Sequence, residues 1–294
     1  MGAQRVEHQV TDKGYVPIYA AGVIEQPWQN YSATDHLVWS KLCARQHEVL
    51  QDRACDAFLA GLAALPMEPD TIPRFSALNE HLSRATGWKL VAVEGLLPEE
   101  DFFRHLAARE FPVTWWIRKP EQLDYLAEPD LFHDLFGHVP LLMDPVFADY
   151  MCAYGRGGLK ALGISKMALT QLARLYWYTV EFGLIRANGD LRIYGSGILS
   201  SAGESRHALE SAAPNRIGFA MERVMRTRYR IDSYQNTYFV IDSFQQLFDA
   251  TLADFTPIYA RLAEQTEFPA GAVAPGDEVL QRGSGEGWAR TEDA

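Results

Sequence analysis

The sequence has few cysteines and no long hydrophobic run. Its three cysteines, Cys43, Cys55 and Cys152, lack the Cys-x-x-Cys spacing of a redox or zinc motif. A disulfide-stabilised secreted module is therefore disfavoured, and a reducing, cytoplasmic environment is expected. Apolar stretches such as 57–67 are too short to span a membrane, and the first residues lack the apolar core of a signal peptide.

The chain also has too few basic residues for a nucleic-acid-binding surface. It carries 27 lysines and arginines against 38 aspartates and glutamates, which gives a net charge of -11. Neither nucleic acid nor an anionic membrane offers counter-charge to such a chain, so neither is an expected partner. Hydrophobic residues at 48% and charged residues at 22% are ordinary for a globular protein, and 294 residues suffice for a large core.

Hydrophobic spacing predicts one mainly helical domain with a small β element. Residues 1–31 contain glycines, prolines and scattered aromatic residues, and we interpret them as an irregular lead-in. Helical periodicity begins near Ser32, and the catalytic domain is expected to span residues 32–266. Thr237–Ile241 is a strand candidate. Residues 267–294 are rich in Gly, Pro, Ala and charge and are predicted to be a flexible tail.

The stretch 128–145 contains two histidines in an apolar setting. His133 and His138 are five residues apart, a spacing that separates them by about 140° around a continuous α-helix. Gly137 and Pro140 predict that the helix ends before the second histidine. The first imidazole would then project from the last turn of the helix and the second from the turn that follows. Two such imidazoles can bind one metal ion, and hydrogen-bonded core or surface histidines are the alternative.

A third ligand candidate, Glu181, lies in a helix predicted over residues 166–186. Its neighbours are apolar or aromatic on almost every side, and an ionised carboxylate buried there is costly unless a cation compensates it. Either a divalent metal or the arginines Arg174 and Arg186 would provide that charge. Two histidines and one carboxylate form the facial ligand set of non-haem Fe(II) enzymes, but the same ligand types serve catalytic zinc. An oxygenase and a hydrolase therefore both remain open.

Three ordered motifs resemble those of the pterin-dependent aromatic amino acid hydroxylases. They are Glu-Pro-Asp-x-x-His-Asp-x-x-Gly-His-Val-Pro from Glu128, Tyr-Trp-Tyr-Thr-Val-Glu-Phe-Gly from Tyr176, and Tyr-Gly-x-Gly-Ile-Leu-Ser-Ser-x-Gly-Glu from Tyr194. The resemblance extends from about Leu37 to Tyr238 and implies the family's catalytic fold. It also implies that L-phenylalanine, O2 and a tetrahydropterin give L-tyrosine and a 4a-hydroxypterin at a non-haem Fe(II) centre.

By motif position, the resemblance divides the site residues into three groups. The iron ligands are His133, His138 and Glu181. The substrate site comprises Arg118 for the carboxylate, Asp130 to hold that arginine, and Glu128, Trp177, Phe182, Gly197 and Ser200. The pterin site comprises Val93, Leu97, Phe102, Asp134 and Tyr176, with Phe102 stacking on the pterin.

Phenylalanine hydroxylation is the favoured reaction, and two alternatives stand beside it. The pocket residues do not distinguish phenylalanine from tryptophan or tyrosine, which the same chemistry would hydroxylate. A zinc hydrolase is the weaker alternative, because the chain has no His-Glu-x-x-His motif. Leu126 and Ala127 replace the Thr-Pro of animal members, and Asp134 replaces their glutamate. The tail lacks heptads, so a monomer is expected.

Overall fold

Helices make up about half of the chain that the computed structural model describes, which is residues 10–11, 14–15, 22–124, 126 and 128–285. The α-helices are α1 (Ala33–Leu50), α2 (Asp56–Ala64), α3 (Phe75–Ala85), α4 (Glu99–Ala107), α5 (Pro145–Leu162), α6 (Lys166–Tyr176), α7 (Ser196–Leu199), α8 (Ala202–Glu210), α9 (Met221–Met225), α10 (Phe244–Thr251) and α11 (Thr256–Ala263). Turns of 3-10 helix cover Trp28–Asn30, Pro120–Gln122 and Val139–Met143, and π-helical turns cover His133–His138 and Trp177–Glu181. Among these described helices, none is both long and apolar enough to cross a membrane.

Short strands form three small sheets in the described ranges. The strands are β1 (Val10–Thr11), β2 (Gly14–Tyr15), β3 (Val23–Ile24), β4 (Lys89–Val93), β5 (Glu110–Thr114), β6 (Leu184–Ala187), β7 (Asp190–Ile193), β8 (Asn215–Gly218), β9 (Thr237–Ile241) and β10 (Val279–Gln281). The largest sheet has the order β10-β8-β9-β6-β7, with parallel central strands and antiparallel edges. In the second sheet β4 lies between β3 and β5, and β1 pairs with β2. The predicted mainly helical fold with a small β element is confirmed, and the predicted strand is β9.

Polar residues at the helix starts fix the boundaries of the helices that surround the site. The side chain of Ser32 accepts the N–H of Asp35, and the Asp35 carboxylate accepts the N–H of Ser32, a capping box that begins α1. Asp144 accepts two backbone N–H groups at the start of α5, and Ser165 accepts one at the start of α6. Each such cap contributes about 1 kcal/mol to the stability of its helix, so the local sequence determines where these helices begin.

Aromatic side chains pack around the π-helical turn His133–His138. The rings of Phe132 and Phe136 stack with their centroids 4.9 Å apart. Trp39 of α1 meets Phe132 edge-on, and Phe58 of α2 meets Phe136 in the same way. All four aromatic side chains are buried. The turn that carries the two histidines is therefore held by close packing on its core side.

The segment after residue 266 belongs to the fold, so the prediction of a flexible tail is wrong for residues 267–285. Glu267 pairs with Arg174 of α6 at 2.7 Å, and Asp277 pairs with Arg223 of α9 at 2.8 Å. Strand β10 extends the largest sheet by pairing with β8. The composition resembles that of a disordered tail, but its charges find partners on distant helices. The remainder of the predicted tail, after residue 285, lies outside the described residues.

The predicted irregular lead-in, residues 1–31, is only partly described. Its described residues form β1, β2 and β3, each two residues long, and the 3-10 turn Trp28–Asn30. Strand β3 pairs with β4, so the end of the lead-in is attached to the rest of the fold.

Gly61 allows α2 to lie directly against the backbone that follows His138. A Cβ at position 61 would overlap the carbonyl oxygen of Pro140, whereas a Cβ at Gly157 of α5 would meet nothing within 4 Å. We expect Gly61→Ala to lower the free energy of unfolding by about 1–3 kcal/mol, because buried backbone must move. Gly157→Ala is the matched control and should raise it by up to about 1 kcal/mol through helix propensity. Urea unfolding measures both changes, and equal stability of the two variants would contradict this packing.

Candidate metal centre and its cavity

The two histidines lie on one π-helical turn, His133–His138. A π-helix bonds residue i to residue i+5 and returns i+5 towards the face of i, whereas an α-helix would separate the two by about 140°. The prediction that the helix ends at Gly137 is therefore wrong, because the helical turn includes the second histidine and continues into Val139–Met143. Gly137 serves close packing instead, since a Cβ there would lie 2.8 Å from the carbonyl oxygen of Ser196 on α7.

A second π-helical turn, Trp177–Glu181, carries the third ligand candidate. The helix predicted over 166–186 is wrong in its second half, where α6 gives way to this turn and then to strand β6. The N–H of Phe182 donates to the carbonyl of Trp177, five residues earlier, at 2.9 Å. The two aromatic side chains consequently lie together, with ring centroids 4.7 Å apart.

Three donor groups converge where the two π-helical turns face each other. The Nε2 atoms of His133 and His138 are 3.2 Å apart. Oxygens of Glu181 lie 3.6 Å from the first of these nitrogens and 3.2 Å from the second. Adjacent ligands held about 2.1 Å from one ion lie about 3.0 Å from each other, so this spacing suits a single metal ion.

Ser200 fixes the tautomer of His133. Its hydroxyl donates to the carbonyl of Ser196 at 2.8 Å and therefore accepts the Nδ1–H of His133 at 2.9 Å. A neutral imidazole with its proton on Nδ1 presents a lone pair at Nε2. Because Nε2 of His138 is only 3.2 Å away, a proton or a metal cation must lie between the two nitrogens. The donor set therefore fits a divalent metal.

Burial and neighbouring charges set the protonation of the donors. Burial lowers the pKa of His133 to about 4, against the opposing effect of the Glu181 carboxylate. Burial alone would raise the pKa of Glu181, but His138 above all, together with His133 and Ser196, lowers it to about 2. Ser196 donates its hydroxyl to Oε2 of Glu181 at 2.8 Å. At neutral pH a neutral imidazole thus stands beside an ionised carboxylate, as metal binding requires.

The arginines considered as partners of Glu181 bind other acids. Arg174 pairs with Glu267 at 2.7 Å. Arg186 pairs with Asp242 at 3.4 Å and also with Glu278. Both arginines lie within the described residues, and neither makes an ion pair with Glu181 there. The charge that compensates this carboxylate therefore comes from the histidine side of the site.

Asp134 is a second carboxyl group close to the histidines. One ligand atom from each of His133, Asp134 and His138 can be chosen so that all separations are within 4.8 Å. However, Oδ2 of Asp134 already accepts the backbone N–H of Thr114 at 2.7 Å. Burial raises the pKa of Asp134 to about 7, with a smaller opposing effect of His138. Glu181 is ionised and directs its oxygens at both imidazoles, so it is the better ligand candidate.

Arg118 and Asp130 form a buried bidentate ion pair. Nε and Nη2 of Arg118 each donate to a different carboxylate oxygen of Asp130 at 2.9 Å. Asp130 also accepts the backbone N–H groups of Arg118 and His133, at 2.8 and 3.1 Å. Burial alone would raise the pKa of Asp130, but the guanidinium keeps it below its ordinary value. One carboxylate thus joins the arginine to the turn that carries the histidines.

A cavity of about 470 Å3 opens beside these groups, a volume typical of small-molecule sites. Its walls include ten of the predicted site residues: Phe102, Arg118, Glu128, His133, Tyr176, Trp177, Glu181, Phe182, Gly197 and Ser200. The other predicted residues stand outside its lining: Val93, Leu97, Asp130, Asp134 and His138. Val93 and Leu97 pack together against Phe102.

Several residues around the cavity were not predicted from the sequence. Tyr229 stacks on Trp177 with ring centroids 4.3 Å apart and an interplanar angle of 15°. Gln235 accepts the indole N–H of Trp177 at 2.9 Å. Both residues lie between α9 and β9, where no periodic pattern points to a role. Arg45, on α1, also lines the cavity. Ser196 was not predicted because its Gly-Ser-Gly sequence has no other distinguishing feature.

Two imidazoles and one carboxylate beside an aromatic cavity fit a mononuclear metalloenzyme, and the donor set suits non-haem iron. Sequence comparison identifies the family. The model of the biopterin-dependent aromatic amino acid hydroxylases matches residues 19–262, so the chain belongs to this family. It is 62% identical over 270 residues to a phenylalanine-4-hydroxylase of Ralstonia nicotianae. That alignment covers 92% of this chain and 86% of the relative.

Solved structures of phenylalanine hydroxylase from Chromobacterium violaceum are closely similar. The structure with bound oxidised Fe(III) has a TM-score of 0.86 and 60% identity, covering 88% of this chain and 93% of that chain. The structure with iron(III) and 7,8-dihydrobiopterin has a TM-score of 0.85 and 60% identity, covering 88% and 92%. The predicted class, an iron- and pterin-dependent aromatic amino acid hydroxylase, is confirmed.

The buried imidazole of His133 is expected to make the metal-free protein less stable in acid. Its pKa is about 4 when folded, against 6.5 ordinarily, so between these values the unfolded chain takes up a proton that the folded chain does not. The contribution of His133 to the free energy of unfolding should therefore fall by up to roughly 1.4 kcal/mol per pH unit in this window, whereas Asp134, whose pKa burial raises to about 7, contributes a change of the opposite sign. Urea unfolding of the wild-type protein and of His133→Gln between pH 7 and pH 4.5 measures this contribution, because the variant lacks the imidazole. Parallel pH profiles for the two proteins would contradict it.

Proposed function

We propose that the chain is a phenylalanine 4-monooxygenase, which converts L-phenylalanine, O2 and a tetrahydropterin to L-tyrosine and a hydroxylated pterin. The observation that carries this proposal is the convergence of His133, His138 and Glu181 at separations of 3.2 to 3.6 Å. His133 and Glu181 also line the cavity, together with Arg118 and the aromatic pair Trp177 and Phe182. The relatives named phenylalanine-4-hydroxylase support the choice of phenylalanine over other aromatic amino acids.

The three donors would hold iron through two imidazole nitrogens and one carboxylate, which leaves positions for other ligands. When bound, the iron and the reduced pterin supply the activation of O2. The chain supplies the orientation of the ligands. Ser200 accepts the Nδ1–H of His133, and Ser196 donates to Glu181. Both hydroxyls come from α7 and the residue after it, so one short helix orients two ligands from different elements.

Arg118 would bind the carboxylate of the amino acid. Its Nε edge is used by Asp130, and Nη1 donates to the carbonyl of Leu123 at 3.3 Å. A guanidinium has five N–H groups, so the edge formed by the remaining hydrogens of Nη1 and Nη2 is available to a carboxylate. The substrate ring would then lie against Trp177 and Phe182, and Glu128, Gly197 and Ser200 complete this part of the wall.

The pterin would lie on the side of the cavity formed by Phe102 and Tyr176. Their rings meet edge to face with centroids 5.9 Å apart. Val93 and Leu97 pack against Phe102, and the ring of Phe102 lines the cavity, where a pterin would stack on it. Asp134 lies outside the cavity lining and would contribute to the pterin site indirectly. Its hydrogen bond from the Thr114 N–H fixes the orientation of its carboxyl group.

The proposed location is the cytoplasm and the proposed state is a monomer. All three cysteines are buried and unpaired, which suits a reducing compartment. Size-exclusion chromatography with light scattering tests the second statement, and a dimer mass would refute it.

Metal and substrate are tested together by an assay with defined components. We expect tyrosine to form from L-phenylalanine only when Fe(II), O2 and a reduced pterin are all present. Phenylalanine should also be preferred when phenylalanine, tryptophan and tyrosine compete in one reaction. Activity that depends on Zn2+ and does not require O2 would instead indicate a hydrolase.

Glu181→Gln removes the charge of one proposed ligand while keeping the size of the side chain. We expect iron content to fall and tyrosine formation to drop by at least about a hundredfold, because loss of a direct ligand should exceed the loss of a supporting hydrogen bond. Glu210→Gln is the control, since Glu210 pairs with Arg53 outside the cavity lining. Iron analysis and turnover of both variants check this. Unchanged turnover in Glu181→Gln would refute the ligand assignment.

A further inference from the structure

Two arginines share one wall of the cavity. Nη1 of Arg118 and Nη2 of Arg45 both donate to the carbonyl oxygen of Leu123, at 3.3 and 2.7 Å. This shared acceptor holds two guanidinium groups side by side, and both residues line the cavity. Like charges at such a separation repel each other, so the pair is most stable when an anion binds beside it.

The charges of the two guanidinium groups are compensated to different extents. Arg118 faces Asp130, which is fully buried, through two bonds of 2.9 Å. Arg45 faces Asp124 at 2.6 Å, but the side chain of Asp124 is 88% exposed. Water screens an ion pair of that kind and leaves it weak. Arg45 is therefore the cation of the cavity wall whose charge is less neutralised.

Arg45 also has an unused hydrogen-bond donor. Its Nε is buried and has no hydrogen-bond partner among the described residues. The side chain as a whole is 29% exposed, and Arg45 lines the cavity. A buried N–H without an acceptor is unfavourable, and an oxygen atom of a bound molecule would relieve this.

We propose that Arg45 is a second binding residue for the carboxylate of the amino acid substrate, acting beside Arg118. The inference rests on the proposed function and extends its substrate site. The substrate carboxylate takes the free edge of Arg118 and a donor of Arg45, while the exposed Asp124 turns to water. Two guanidinium groups favour a free carboxylate over a neutral amide, because the amide has no charge and one acceptor oxygen fewer.

The test compares L-phenylalanine with L-phenylalaninamide in the iron-loaded enzyme supplied with reduced pterin. For Arg45→Gln we expect KM for L-phenylalanine to rise about tenfold, with kcat changed less than about twofold. The amide lacks the charge that Arg45 binds, so its kcat/KM should change less than about twofold. The preference for acid over amide should therefore fall by about tenfold. Arg45→Lys keeps the charge without the planar fork and should give an intermediate ratio.

Arg53→Gln provides a matched control. The side chain of Arg53 is also 29% exposed and pairs with an exposed acid, Glu210, but it lies outside the cavity lining. Its substitution should leave the ratio between acid and amide unchanged. Thermal unfolding of all three variants establishes that they are folded. If Arg45→Gln does not fold, the ratio measured for Arg45→Lys decides, and a fall of at least about threefold is expected.

The outcomes separate this proposal from the proposed function. An unchanged ratio between acid and amide in Arg45→Gln would overturn the proposal. If kcat/KM fell equally for both substrates, Arg45 would have a purely structural role. If the wild-type chain binds L-phenylalanine without hydroxylating it, the proposed function fails. Calorimetric Kd values for acid and amide then test Arg45 in the same variants. A wild-type chain that binds neither molecule overturns both.

Discussion

The site depends on a backbone turn that is one residue wider than an α-helical turn and occurs twice. In the turns His133–His138 and Trp177–Glu181 the hydrogen-bonding partner of a residue lies five positions away. This width brings two imidazoles together in the first turn, and the Trp177–Phe182 pair follows from the second. Such turns are rare in proteins, so the surrounding packing must hold them. Stacked aromatic rings do so on the core side of the first turn.

The three carboxyl groups near the histidines, those of Asp130, Asp134 and Glu181, differ in how their charge is compensated. Asp130 is matched by a guanidinium through two hydrogen bonds, and Glu181 is matched by imidazoles and a serine hydroxyl. Asp134 has no such cation at bonding distance among the described residues, and burial raises its pKa to about 7. Asp130, Asp134 and Glu181 therefore differ in protonation because their surroundings differ, as the proposed roles of this region toward a metal, a substrate and a cofactor would require.

Local chemistry decided which features the sequence could predict. The three donors were predictable because isolated charges and imidazoles in apolar sequence require partners, and helix starts such as Ser32 were predictable because their caps are local. The wide turns were not, because the close approach of Gly137 to Ser196 joins segments distant in sequence. The same holds for residues 267–285, whose ion pairs reach α6 and α9. Gln235 was missed because it acts on Trp177 from a segment without periodicity.

The carboxylate of Asp130 accepts hydrogen bonds from Arg118 and from the backbone of His133. It is thus shared by the group proposed to bind the amino acid and by the turn proposed to bind iron. Two binding equilibria that share one charged group are thermodynamically linked, and such linkage is reciprocal. Whatever factor the amino acid imposes on the affinity for iron, iron imposes on the affinity for the amino acid. The order in which the two bind can therefore alter the route to the loaded site but never its total free energy.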